Sequence, residues 1–256
     1  MLDSHTLQYH INISQDNGAK YAILPGDPGR CQKIAQLLDN AEQLSFNREY
    51  NIWSGTLEGE KVLVCSTGIG GPSTAIAVEE LAACGVTTMI RIGTCGGISL
   101  DVHCGDIVVA SGAVRQDGTS REYAPIEFPA VANANVMFAL CQAAKHLNLS
   151  LHVGVVQSKD SFYGQHSPDR MPTFNELNAK WEAWKRLGVL ASEMEASTLF
   201  TVGASLGIQT GAVFSVVWNQ ERANVGLDTA KDENHDTSSA VKAAVEAIRI
   251  LIKSSK

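Results

Sequence analysis

Residues 61–85 read KVLVCSTGIGGPSTAIAVEELAACG. Lys61–Ser66 is a short run of Val and Leu, the composition of a strand buried on both faces. Gly68-Ile69-Gly70-Gly71 then makes a turn, and Pro72 suits a helix start, where its missing N–H would have no partner. Ala75, Val78, Leu81 and Ala82 fall on one helical face, and Gly85 closes the helix. The unit is strand, glycine turn, helix.

The same unit recurs on either side. Tyr21–Pro25 (YAILP) predicts a buried strand. The turn Gly26–Gly29 follows it, and Cys31–Leu38 has helical spacing through Ile34, Leu37 and Leu38. Thr88–Ile92 (TMIRI) predicts another strand running into Gly93–Gly97. Asp106–Ala110, Leu151–Val156 and Gly211–Trp218 continue the strands. Asn135–Leu147, Glu193–Leu206 and Thr237–Ile252 read as helices, the last capped by Asp236, Thr237 or Ser238. Asp160–Asn178, with Gly164, Pro168 and Pro172, reads as a long surface loop and a candidate lid. Alternating strands and helices imply an α/β fold with a mixed sheet covered on both faces. Ligands of such folds bind beyond the carboxyl ends of the strands, where the turns at 26–29, 68–71 and 93–97 fall.

The chain has 256 residues, 45% of them hydrophobic, which is enough to bury a core and excludes a disordered chain. It carries 20 Lys and Arg against 27 Asp and Glu, a net charge of −7, with no basic run. That balance argues against nucleic acid as a partner. No apolar stretch approaches the roughly 18 residues of a membrane span, and the polar start MLDSHTLQYHINISQDNG lacks a signal core. A cytoplasmic protein is expected. Its six cysteines are scattered without a CxxC pair, the pattern of buried reduced thiols rather than disulfides or zinc ligands.

Arg91 sits inside an apolar strand. A charge there must be paired or must bind something, so an internal salt bridge and an anion site both stand open. Arginine offers a planar fork that meets phosphate with two charge-assisted hydrogen bonds, and glycine turns add backbone donors. Arg30, Arg91, Thr94 and the Gly26 amide therefore form a candidate oxyanion cradle. The turn at 68–71 lacks the Lys-Ser/Thr of a nucleotide P-loop. Arg48, in Asn47-Arg48-Glu49-Tyr50, reads by itself as a solvated charge. Glu193 and Glu195 near a helix start fit the helix dipole. Facing a pocket, they would instead accept hydrogen bonds from sugar hydroxyls; spacing supports both readings.

The segments PGDPGR at 25–30, NREY at 47–50, CSTGIGGPSTAIAVEEL at 65–81, RIGTCGG at 91–97, YAPIEFPAV at 123–131, DSFY at 160–163 and EMEASTLF at 193–200 resemble the uridine branch of the nucleoside phosphorylase-I family over nearly the full chain. The resemblance implies one α/β sandwich domain over residues 1–256, with a central mixed sheet, assembled as dimers into a hexamer. It implies phosphate binding by Gly26, Arg30, Arg91 and Thr94, with Arg48 supplied by the dimer partner. Ribose would meet Glu193, Met194 and Glu195, and His10 of a neighbouring chain. Phe162 would stack on the base and Gln165 would hydrogen-bond its edge. Glu49, Ile69 and Ser73 match positions that hold a monovalent cation, potassium, at the dimer interface. No organic cofactor is implied, and inorganic phosphate is the co-substrate.

Two positions depart from the pattern. Ser167 and Gln220 stand where the uridine members usually carry arginines; Gln220 remains a candidate base contact, and Arg170 and Arg222 lie close enough in sequence to substitute. Trp218-Asn219 occupies the place where purine members put an aspartate, which argues against purine chemistry. The expected activity is phosphorolysis of a pyrimidine nucleoside, uridine first, to free base and ribose 1-phosphate in nucleoside salvage. The alternatives are another base preference, or a nucleoside-binding protein without turnover.

Overall fold

Residues 6–255 are described by a computed structural model; the outermost residues of the expected 1–256 domain lie outside that range. The strands are β1 (Tyr21–Pro25), β2 (Asp39–Asn47), β3 (Tyr50–Leu57), β4 (Glu60–Cys65), β5 (Thr88–Gly97), β6 (Ile107–Gln116), β7 (Ala130–Val131), β8 (Leu151–Lys159), β9 (Ala191–Glu193) and β10 (Gln209–Asn219). The helices are α1 (Cys31–Ala35), α2 (Gly71–Ala83), α3 (Thr119–Tyr123), α4 (Ala134–His146), α5 (Phe162–His166), α6 (Phe174–Arg186), α7 (Ala196–Ser205), α8 (Gln220–Asn224) and α9 (Ser238–Ser254).

All the strands join one mixed sheet. β5 pairs parallel with both β1 and β10, and β9 pairs antiparallel with its end. β10 continues to β6, β6 to β8, and β8 to β9. Five strands thus close a ring on β5, while β1, β4, β3 and β2 extend from it as a wing. The fold is α/β with helices on both faces. Two apolar cores fill the sides. One packs α2 and α7 against the sheet through Val78, Leu81, Leu199 and Phe200. The other packs α1, α4 and α9 through Ile34, Leu140, Val245 and Ile248. Each fully buried aliphatic side chain contributes about 1.5–3 kcal/mol.

Three segments differ from the expectation drawn from sequence. Gly93–Gly97 is the second half of β5, not a turn: a Cβ at Gly97 would lie 2.5 Å from the Asn219 amide nitrogen, so glycine is required by close packing inside the sheet. Asp160–Asn178 is not a loop but α5, a short 3-10 turn and the start of α6. Its Pro168 and Pro172 punctuate helix ends rather than marking open coil. Glu193 ends a strand and α7 begins only at Ala196, because the Glu193 carboxylate accepts the N–H groups of Glu195 and Ala196 and so caps the helix from outside it. Thr237 holds the N-cap position of α9, but it is Asp236 whose carboxylate accepts the Ser238 N–H, at 2.8 Å.

Candidate active site

The carboxyl ends of β1 and β5, together with β8, β9 and β10, open into one cleft of about 1080 Å³. Gly26, Arg30, Arg91 and Thr94 line it, and so do Glu193, Met194, Glu195, Phe162, Gln165, Glu49 and Ile69. Most residues singled out from sequence therefore converge on one space, although their elements are far apart in the chain.

Arg91 is only 4% exposed. It forms an ion pair with Glu195, and its Nη1 donates to Thr67 Oγ1 at 3.3 Å. Its Nε lies 3.6 Å from Glu193 and has no hydrogen-bond acceptor, a buried donor left open. The salt-bridge reading of Arg91 is thus realised without using up the guanidinium. Burial lowers the Arg30 guanidinium from its ordinary value, with neighbouring Arg91 pushing the same way. Asp27, 3.9 Å from the Arg30 Nε, opposes that shift, and Arg30 stays partly open to the cleft.

Both readings of the two carboxylates are realised as well. Glu193 caps α7 and accepts from the Ser158 hydroxyl. Glu195 accepts the Gly70 N–H at 2.6 Å. Burial, reinforced by Glu195, raises the Glu193 carboxyl above the usual range, against the pull of Arg91. Gly68 has φ +68°, the left-handed region, and a Cβ there would sit 3.0 Å from Glu49 Cγ and 3.2 Å from Ser73 Oγ. Glycine thus lets Glu49 and Ser73 approach one another at the edge where Ile69, 78% exposed, projects.

Four sequence candidates stand outside the cleft of their own chain. His10 Nδ1 lies 2.7 Å from Glu80 on α2, and Asn47 donates to the His10 carbonyl at 2.7 Å. Arg48 occupies the hairpin turn between β2 and β3 with φ +54°, its guanidinium 5.9 Å from the Tyr9 ring centre. Ser73 does not line the cleft; its hydroxyl lies 3.2 Å from the Ile69 carbonyl. Gln220 lines a smaller adjoining cavity of about 190 Å³ rather than the cleft, and its buried Oε1 has no partner. Neither substitute arginine reaches the cleft. Arg222 is held by Asp228 and the Leu100 carbonyl, and Arg170 lies over the Tyr163 ring.

Sequence reasoning missed Lys159, Ser192, Trp218 as a cleft wall, and Glu233 with His235 at the rim. Lys159 directly precedes the DSFY segment, but a lysine at a strand end ordinarily reads as solvated. Trp218 and Val217 are turned inward by an irregularity in β10 between Val216 and Trp218. Asn219 is committed elsewhere: its amide donates to the carbonyls of Ser99 and Val102, both at 2.8 Å.

The sequence pattern of the phosphorylase superfamily matches residues 20–254, which span every cleft residue. The chain belongs to the phosphorylase superfamily. It is 49% identical to a uridine phosphorylase of Treponema pallidum (strain Nichols), with 96% of this chain and 94% of that one aligned. It is 43% identical to the uridine phosphorylase of Escherichia coli (strain K12), covering 95% and 98%. A guanosine phosphorylase of Halorubrum lacusprofundi is 39% identical, with 96% of each chain aligned.

Proposed function

We propose that this chain catalyses the phosphorolysis of uridine to uracil and ribose 1-phosphate. The observation that carries the reading is a single cleft holding an arginine pair, two buried carboxylates, and an aromatic ring beside an amide. Arg30, Arg91, Thr94 and the Gly26 backbone take phosphate. Glu193, Met194 and Glu195 take ribose, and Phe162 and Gln165 take the base.

The chemistry needs no covalent enzyme nucleophile. A phosphate oxygen attacks C1′ as the C1′–N1 bond breaks, and positive charge grows on the sugar. Glu195 is held in place by Arg91 and the Gly70 N–H, so its charge is oriented before the reaction begins, where such preorganisation stabilises the transition state most. Holding phosphate and nucleoside together removes much of the entropic barrier.

Purine phosphorolysis is the second reading, favoured by the guanosine phosphorylase relative. Against it, Asn219 presents no carboxylate at the exit of β10 and its amide is bound to backbone carbonyls. The assembly reading is a dimer-based hexamer in which His10 and Arg48 serve a neighbour's cleft. Exposed Leu7, Tyr9 and Phe46 around these two residues support a second copy there. Potassium held by Glu49, Ile69 and Ser73, a cytoplasmic location and a role in nucleoside salvage belong to the same reading. No described helix is long and apolar enough to cross a membrane. The test is base release from uridine, thymidine, inosine and guanosine, with and without phosphate. Uridine cleavage that depends on phosphate is expected; faster turnover of inosine or guanosine would overturn the uridine assignment.

A further inference from the structure

Lys159 is the last residue of β8 and is only 6% exposed. A buried ammonium is costly unless paired, yet Lys159 forms no ion pair with any described carboxylate. Its one described hydrogen bond runs from Nζ to Ser192 Oγ, at 2.7 Å. An ammonium has three N–H donors. The side chain lies where the cleft meets the adjoining cavity, and Lys159 and Gln165 are the two residues that line both. The cleft's arginines, Arg30 and Arg91, belong to the phosphate cradle. On the Gln165 side the remaining polar groups of the adjoining cavity are Gln116, Gln157, Asn178 and Gln220, all neutral, with Asp160 and Ser161.

We propose that Lys159 is the cation that receives the leaving base, its ammonium hydrogen-bonding a carbonyl oxygen of the departing pyrimidine. The assignment rests on the pyrimidine phosphorolysis reading and deepens it. As the C1′–N1 bond breaks, its electron pair passes to the ring and spreads over N1, O2 and O4. Phosphate forms the new C1′–O bond, and water protonates the uracil anion after it leaves, so Lys159 need not give up its proton. Interactions that strengthen only as charge develops raise kcat rather than lower KM.

The neighbours fit this role. Ser192 receives the Lys159 hydrogen bond, and its own hydroxyl lies 2.7 Å from the carbonyl oxygens of both Gln157 and Gln165. Its single proton serves one of them at a time. When it serves Gln165, the amide N–H₂ of Gln165 is left to face the base. Glu193 from β9, Glu195 from the start of α7, Cys95 from β5 and His166 from α5 face the ammonium. Burial brings Lys159 down to about 8 despite the two carboxylates. Burial, and then Lys159, hold His166 below its ordinary value.

The test compares the full-length wild-type enzyme with Lys159→Met and Lys159→Arg on uridine and on 5-fluorouridine, whose base leaves more readily. Lys159→Met should lower kcat for uridine by roughly 100-fold, the size of losing one transition-state donor. It should leave the phosphate KM within about threefold, and should harm 5-fluorouridine distinctly less. Lys159→Arg should recover part of kcat and move the basic limb of the pH profile upward from about 8. If Lys159→Met fails to fold, Lys159→Gln makes the same comparison. Equal losses on both substrates, or a phosphate KM that rises with the loss, would mean that Lys159 only balances Glu193 and Glu195, and would overturn the assignment. Wild-type activity on uridine matched by Lys159→Met overturns the assignment alone. Wild-type enzyme that leaves every pyrimidine nucleoside intact overturns the function reading and the assignment together.

Discussion

Arg91 on β5 and Glu195 at the start of α7, 104 residues apart, form a buried ion pair in the middle of the cleft. Each side chain is 5% exposed. The pair ties Arg91 of the proposed phosphate cradle to Glu195 of the proposed ribose site, so that a change at either end is felt at the other. Removing one partner of such a pair costs about 3–5 kcal/mol, because the other charge is left buried alone.

Arg91→Ala should therefore raise the phosphate KM strongly and lower the melting temperature together. Initial rates against phosphate concentration and a thermal melt on the same preparation check this. An unchanged phosphate KM removes Arg91 from the cradle whatever happens to stability.

The raised Glu193 carboxyl should set the acid side of the pH profile. The folded protein holds this proton more tightly than the unfolded chain does, so its stabilising contribution is full below the ordinary value of 4.5 and is lost as pH rises through the folded value. Catalysis runs the other way, since the ionised carboxylate is the better acceptor for a ribose hydroxyl. kcat/KM for uridine should fall on acidification above pH 4.5 rather than below it. Glu193→Gln should flatten that limb, and a profile measured between pH 4.5 and 8 decides it.

The proposed assembly has His10 and Arg48 serve a neighbouring chain's cleft. His10→Ala and Glu195→Gln should each be nearly inactive as pure proteins. Co-expressed, they should regain activity, because a mixed dimer holds one cleft with an intact Glu195 served by an intact His10. No recovery in purified mixed dimers would return His10 to a structural role beside Glu80.

The Glu49, Ile69 and Ser73 edge should bind potassium. Replacing potassium chloride by tetramethylammonium chloride at equal ionic strength should lower the melting temperature, by about 2–4 °C for each kcal/mol of binding lost. Glu49→Gln should abolish the difference. A variant that keeps it places the cation elsewhere.

Much of this site is legible along the chain because its residues break local rules. Arg91 is a charge inside an apolar strand, and Gly68 is a glycine where a turn must be tight. Such residues stand out without knowledge of their neighbours. Lys159 breaks no local rule, since a lysine ending a strand is ordinary until the strand is known to end inside a cleft. The hairpin of β2 and β3 was equally silent: β2 is largely exposed and polar, so no apolar run announces it.

From residue order alone came the strand–turn–helix rhythm, the α/β class and the buried Arg91, because hydrophobic period and glycine placement act over a few residues. Closure of the sheet on β5, the continuation of Gly93–Gly97 as strand, and the meeting of Lys159 with Ser192 and Gln165 belong to the folded molecule. They depend on contacts between segments about 30 to 120 residues apart, and no local periodicity encodes which distant backbones will touch.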